Sequence, residues 1–185
     1  MTARVAVVVP VHDDAARLAR CLDALAAQTL PPGAAEVVVV DDASGTSPED
    51  LVRRYPGVRL VRLPERGGSY AARNAGVAVT GAPVLAFTDA DCVPDRQWLD
   101  RGLAALAGCD VVAGAVEVFS RAPRRGAVEL FDAVTAFPQE HFVRRWGFGA
   151  TANLLTRRAT WAAVGPFDAR LRSGGDADWG QRASA

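Results

Sequence analysis

Short apolar, β-branched runs alternate along the chain with segments whose leucines recur every three to four residues. The run Val5-Ala6-Val7-Val8-Val9 predicts a first strand, and Leu18, Leu22 and Leu25 share one face of the helix that follows. Val37 to Val40 predicts a second strand. Ser47-Pro48-Glu49-Asp50 combines a capping serine, a proline suited to the first helical position and acidic residues, so a short helix is expected there. A third strand is expected over Val58 to Leu63, a helix over Ser69 to Val79, and a fourth strand over Val84 to Phe87. Asp95 is expected to cap a helix carrying Leu99, Leu103 and Leu106, which Gly108 would stop. Val111 to Val118 reads as a fifth strand.

This βαβαβαβαβ order predicts an α/β fold, a mostly parallel sheet with helices on both faces. Ligands of such sheets bind at the carboxyl ends of the strands. Beyond the fifth strand the pattern changes. Residues 121–126 read as a loop, 128–137 as a helix, and Trp146-Gly147-Phe148-Gly149 as an aromatic turn punctuated by glycine. A short strand (152–156), a helix (159–164), an acidic turn (174–178) and a final helix follow. The expectation is a single catalytic domain over residues 1–185, truncated at its C-terminus.

Composition narrows the function. Half of the 185 residues are hydrophobic, and Lys plus Arg equals Asp plus Glu at 21 each. That balance gives no field to attract nucleic acid. No apolar run reaches the length of a membrane span, so any membrane contact is expected to be peripheral. Three cysteines (Cys21, Cys92, Cys109) without metal-ligand spacing suit a reducing compartment, so a cytoplasmic location is expected, at most at the cytoplasmic face of a membrane.

The chemistry gathers at the strand ends. Asp13-Asp14, Asp41-Asp42 and Asp89-Ala90-Asp91 follow the first, second and fourth strands, which a parallel sheet brings to one rim. Capping alone would account for Asp13-Asp14. Three clusters together would repel one another unless a cation compensates. In Asp89-Ala90-Asp91 the i and i+2 side chains point the same way, and paired hard oxygens favour Mg²⁺ or Mn²⁺ bridging to phosphate. The first loop, Pro10-Val11-His12-Asp13, lacks the glycines of a dinucleotide-binding turn and the lysine of a phosphate-binding loop. Arg66 and Arg73 could supply cationic contacts to phosphate or ribose. Among the aromatic residues, Trp146 beside Gly147 is the candidate for contact with an acceptor, while Trp98 and Trp161 read as core.

The ordered motifs Val-Val-Val-Pro-Val-His-Asp, Val-Val-Val-Asp-Asp-Ala-Ser, Ala-Ala-Arg-Asn-Ala-Gly, Phe-Thr-Asp-Ala-Asp-Cys-Val-Pro and Gly-Gly-Asp-Ala-Asp-Trp resemble the family 2 glycosyltransferases of the GT-A fold, from Val5 to about Arg182. The resemblance implies a nucleotide-sugar pocket lined by Pro10, Val11, His12, Asp13, Asp42, Arg73, Asp89, Ala90 and Asp91. Asp42 would contact the base, Asp89 the ribose or donor sugar, and Asp91, with Asp89 beside it, the metal. Asp176 would be the general base, and Asn153 and Trp179 would lie on the acceptor side. Arg66 stands where this family commonly has asparagine, and Gly175 where a glutamate often precedes the base. The implied activity is inverting transfer of a sugar from a nucleotide-diphosphate donor to a hydroxyl of a glycan, lipid or small molecule. Two alternatives stay open: a catalytically silent nucleotide-sugar-binding module and a sugar nucleotidyltransferase.

Overall fold

A computed structural model describes residues 3–119, 126 and 137–185. Strand β1 (Val5–Val11) runs through the middle of a six-stranded sheet and is buried over its whole length. Its continuous apolar sequence follows from that position, because both faces of the strand are covered. Val5, Val7, Val9 and Val11 pack on one side against Leu18, Cys21, Leu22 and Leu25 of helix α1 (Ala15–Ala26), with Leu99 of helix α4 (Trp98–Ala105). Ala6 and Val8 face the other side, toward Tyr70, Ala72 and Val77 of helix α3 (Gly68–Ala78), and Phe87, Trp161, Phe167 and Trp179 complete that layer. Each such fully buried Leu or Val side chain contributes about 1.5–3 kcal/mol.

The remaining strands are β2 (Ala35–Asp41), β3 (Val58–Arg62), β4 (Val84–Phe87), β5 (Val111–Ala113) and β6 (Leu154–Arg157). Their order across the sheet is β3-β2-β1-β4-β6-β5. The β1–β2, β1–β4 and β2–β3 pairs are parallel. Strand β6 enters between β4 and β5 and runs antiparallel to both. The expected fold class holds, but β5 does not lie beside β4.

Helix α3 lies close to the sheet because Gly76 has no side chain. A Cβ there would come within 2.4 Å of Val8 Cγ1 and 3.0 Å of Val40 Cγ2. That approach places the first turns of α3 at the carboxyl ends of β1 and β2.

Several boundaries differ from the sequence expectation. Helix α2 is a single turn (Glu49–Val52) with Pro48 at its cap position, and Ser47 makes no capping bond. Helix α4 starts at Trp98, because Asp95 closes a turn instead: its carboxylate accepts from Gln97 N (2.9 Å) and its carbonyl from Trp98 N (2.9 Å). Strand β5 ends at Ala113, since its partner β6 begins only at Leu154. The residues expected as an acidic turn open helix α7 (Gly175–Ser184), whose cap Gly174 has φ +75°. Helices α5 (Gln139–Trp146) and α6 (Arg158–Val164), with a 3₁₀ turn at Thr151–Asn153, complete the described elements. The loop expected over 121–126 and the helix expected over 128–137 lie, except for Gly126 and Phe137, outside the described residues.

Candidate nucleotide and metal site

Two cavities meet at the end of β4. The first, of about 880 Å³, is bordered by Pro10, Val11, His12 and Asp14 after β1, Asp42 after β2, Arg66 to Ser69 and Arg73 at α3, and residues 169–172. The second, of about 1130 Å³, is bordered by Thr88, Cys92 to Asp95, Trp98, residues 114–119 and Asn153. Asp89 and Asp91 line both.

The rim carboxylates differ in what they face. Asp14 caps α1, accepting from Arg17 N at 3.1 Å and from its guanidinium at 3.0 Å. Asp13, at φ +51°, accepts from Gly45 N (2.8 Å) and donates its own N–H to Ser44 Oγ (2.9 Å). It ties two loops together and is not among the residues that line the first cavity. Asp41 is fully buried, held by Arg62 (2.7 Å) and Ser44 N (2.9 Å). Asp42 borders the cavity, but its two oxygens accept from Gly67 N (2.7 Å) and Gly68 N (2.9 Å). His12 Nδ1 lies 2.7 Å from the Asp42 carbonyl. Asp89 is ion-paired with the buried Arg73. The repulsion expected among these acids is therefore largely met by the protein's own donors.

Asp91 is the exception. It is exposed, and among the described residues its side chain has only a weak contact, from Cys92 Sγ at 4.0 Å. Donor atoms of Asp89, Asp91 and Cys92 lie within 4.8 Å of one another. Burial, with the charge of Asp89 second, pushes the Cys92 thiol up, and its soft sulfur is a poor match for a hard divalent ion. What remains is a carboxylate pair, a donor set that fits Mg²⁺ or Mn²⁺.

Cations stand on the same cavity wall. Arg170 is taken by Asp168, whose carboxyl is held down at about 2 by hydrogen bonds from Arg170. Arg66 and Arg172 have no ion pair among the described residues and line the first cavity. Arg172 was not singled out in the sequence, where an arginine in a polar loop carries no pattern of its own.

Asp176, on the first turn of α7, lines neither cavity. It accepts a hydrogen bond from the Tyr70 hydroxyl at 3.2 Å. Tyr70 in turn lies under the Arg73 guanidinium, 5.6 Å from ring centroid to Cζ. Asn153 borders the second cavity with both ends of its amide engaged: Oδ1 accepts from Trp98 Nε1 (2.7 Å) and Nδ2 donates to Ala115 O (2.8 Å). Trp179 is a correction. It is 1% exposed, stacks on Trp161 and donates to Gly165 O at 2.9 Å, so it is core and cannot touch an acceptor. Trp146 is 48% exposed at the end of α5, stacked on Phe142 and Phe148, and borders neither cavity. Trp98 and Trp161 are buried, as expected.

The sequence profile described as Glycosyl transferase family 2 matches residues 6–168. The chain belongs to glycosyl transferase family 2. Glycosyltransferase AglE of Haloferax volcanii is 36% identical over 97% of this chain and 61% of its own length. Validoxylamine A glucosyltransferase of Streptomyces hygroscopicus is 38% identical over 76% of this chain and 32% of its own. The chain thus spans between a third and three fifths of these relatives. Among solved structures, mannosyltransferase PcManGT of Pyrobaculum calidifontis, in complex with GDP-Man and Mn²⁺, superposes with a TM-score of 0.75 at 25% identity over 97% of this chain and 51% of that one. S. aureus TarS 1–349 does so at 0.75 and 20% over the whole chain and 55% of that protein. The fold of this family 2 member is the GT-A fold. No helix among its described residues is long and apolar enough to cross a membrane.

Proposed function

We propose that this chain is the donor-binding and catalytic part of an inverting glycosyltransferase that moves a sugar from a nucleoside diphosphate to an acceptor hydroxyl. The observation that carries the reading is Asp91, which among the described residues receives only the weak Cys92 contact, at the junction of two cavities, the first of which is also lined by Arg66 and Arg172, neither of them ion-paired among the described residues. The nucleotide would lie along Pro10 to His12 and Asp42, and the diphosphate against the two arginines. Asp91 and Asp89 would hold a divalent ion, which when bound supplies Lewis-acid stabilisation of the leaving diphosphate.

Asp176 is the candidate base. It would take the proton of the acceptor hydroxyl while that oxygen bonds to the anomeric carbon. The electron pair of the sugar–phosphate bond departs with the diphosphate, and attack from the face opposite the leaving group inverts the centre. Such a base contributes about 10²–10⁴-fold. The acceptor side would be the second cavity, with Asn153 at its edge.

The position of Asp176 outside both cavities favours a second reading, a donor-binding module without turnover. One set of measurements separates them. Calorimetry with GDP-mannose and UDP-GlcNAc, with and without Mn²⁺, is expected to show binding that needs the metal and is lost in Asp91→Asn. Release of nucleoside diphosphate, with water as acceptor, is expected from the wild type and not from Asp176→Asn. Equal binding in excess EDTA would refute the metal site. Metal-dependent binding without release would leave the module.

A further inference from the structure

We propose that Tyr70 is a positioning residue that aims Asp176, and that Gly175 is a glycine so that it can. The inference rests on the reading of Asp176 as the base.

Helix α3 presents Tyr70 and Arg73 one turn apart on one face. The Tyr70 ring is buried beneath the Arg73 guanidinium and packs on Phe167 at 5.6 Å between centroids. Its hydroxyl donates to Asp176 Oδ1, the same oxygen that accepts from Ala177 N at 3.1 Å. Both donors thus fall on one oxygen, and Oδ2 accepts no hydrogen bond among the described residues. A base needs this asymmetry. One oxygen is anchored to fix the plane of the carboxylate, and the other keeps its lone pairs for an incoming proton. Burial, with the charge of Asp176 second, pushes the Tyr70 hydroxyl up, so it stays protonated and continues to donate.

Gly175 supplies the room. A Cβ at this position would lie 2.7–2.8 Å from three ring carbons of Tyr70. The space a side chain at position 175 would take is filled by the tyrosine ring, whose hydroxyl gives the base a neutral donor as its neighbour. The chain of contacts Asp89–Arg73–Tyr70–Asp176 also joins the metal pair to the base through one helix.

Tyr70→Phe removes the hydroxyl and keeps the ring, its packing and its contact with Arg73. With GDP-mannose or UDP-GlcNAc, Mn²⁺ and water as acceptor, the variant is expected to lose about tenfold in kcat, the cost of one hydrogen bond to a charged group. KM for the donor and calorimetric affinity for the nucleotide are expected to match the wild type, while Tm falls only by the few degrees that one hydrogen bond to a charged group is worth in a domain of this length. Gly175→Ala, which displaces the ring, is expected to lower kcat at least as far. Wild-type kcat in Tyr70→Phe beside an inactive Asp176→Asn overturns the inference and leaves the base in place. Parallel losses of Tm, affinity and kcat in Tyr70→Phe assign the residue to the fold and overturn it too. Nearly full activity of Asp176→Asn, or no release by the wild type, removes the base and this inference with it.

Discussion

Replacing Asp42 by asparagine separates two uses of one carboxylate. Its oxygens accept from Gly67 N and Gly68 N at 2.7 and 2.9 Å, and with the residue 4% exposed water cannot take over either bond. Asparagine has one acceptor oxygen, and its NH₂ would face the second N–H, donor against donor. One bond to a charged group is lost, at about 1.5–3 kcal/mol, and the survivor falls to the neutral value, about 1 kcal/mol less. The sum is about 2.5–4 kcal/mol. For a domain of this length each kcal/mol moves Tm by about 2–4 °C, so a fall of roughly 5–16 °C is expected by circular dichroism. Because Gly67 and Gly68 lead into α3 and adjoin Arg66, donor affinity is expected to weaken as well. A Tm within about 1 °C of wild type would refute the argument, given the slope above. Weaker nucleotide binding alone would then point to the contact with the base that the sequence suggested.

Three further outcomes test other parts of the molecule. Arg172→Ala is expected to weaken calorimetric affinity for GDP-mannose or UDP-GlcNAc by about tenfold, with Tm unchanged and a smaller effect at high salt. Cys21 is buried, and burial first, then the negative charges of Cys92, Asp89 and Asp91, pushes its thiol up to about 12. Native-state alkylation at pH 8, read by mass spectrometry, is therefore expected to mark the exposed Cys109 and spare Cys21. Because the folded value lies above the unfolded 9.0, the unfolded chain ionises first, and this contribution to stability falls as pH rises from about 9 toward 12.

The parallel half of the fold was legible because its signals are local. The valine-rich, wholly apolar run of β1 and the leucine spacing of α1 report burial directly. The placement of β6 was not, since nothing in Leu154–Arg157 names β4 and β5 as its neighbours, and the pairing is made across dozens of residues. The same limit governs the site. Sequence gathers carboxylates at a rim, but only the fold decides that Asp41 meets Arg62 and Asp42 meets two backbone amides while Asp91 is left available. Trp179 was misplaced because a tryptophan beside an acidic motif looks alike whether α7 turns it outward or into the layer with Trp161. Tyr70 escaped notice because it matters through Asp176, far away in the chain, and Arg172 because only the fold brings it to the wall of the first cavity.

The antiparallel β6 has a consequence for how such a protein can change. Every strand on the β1 side of the seam between β4 and β6 comes from residues 5–87, and both strands beyond it come from residues 111–157. The two halves of the sheet are therefore consecutive stretches of gene, joined along a single ladder of four residue pairs. Recombination or insertion past the seam would reshape the wall of the second cavity while the register of β1 to β4 is inherited intact.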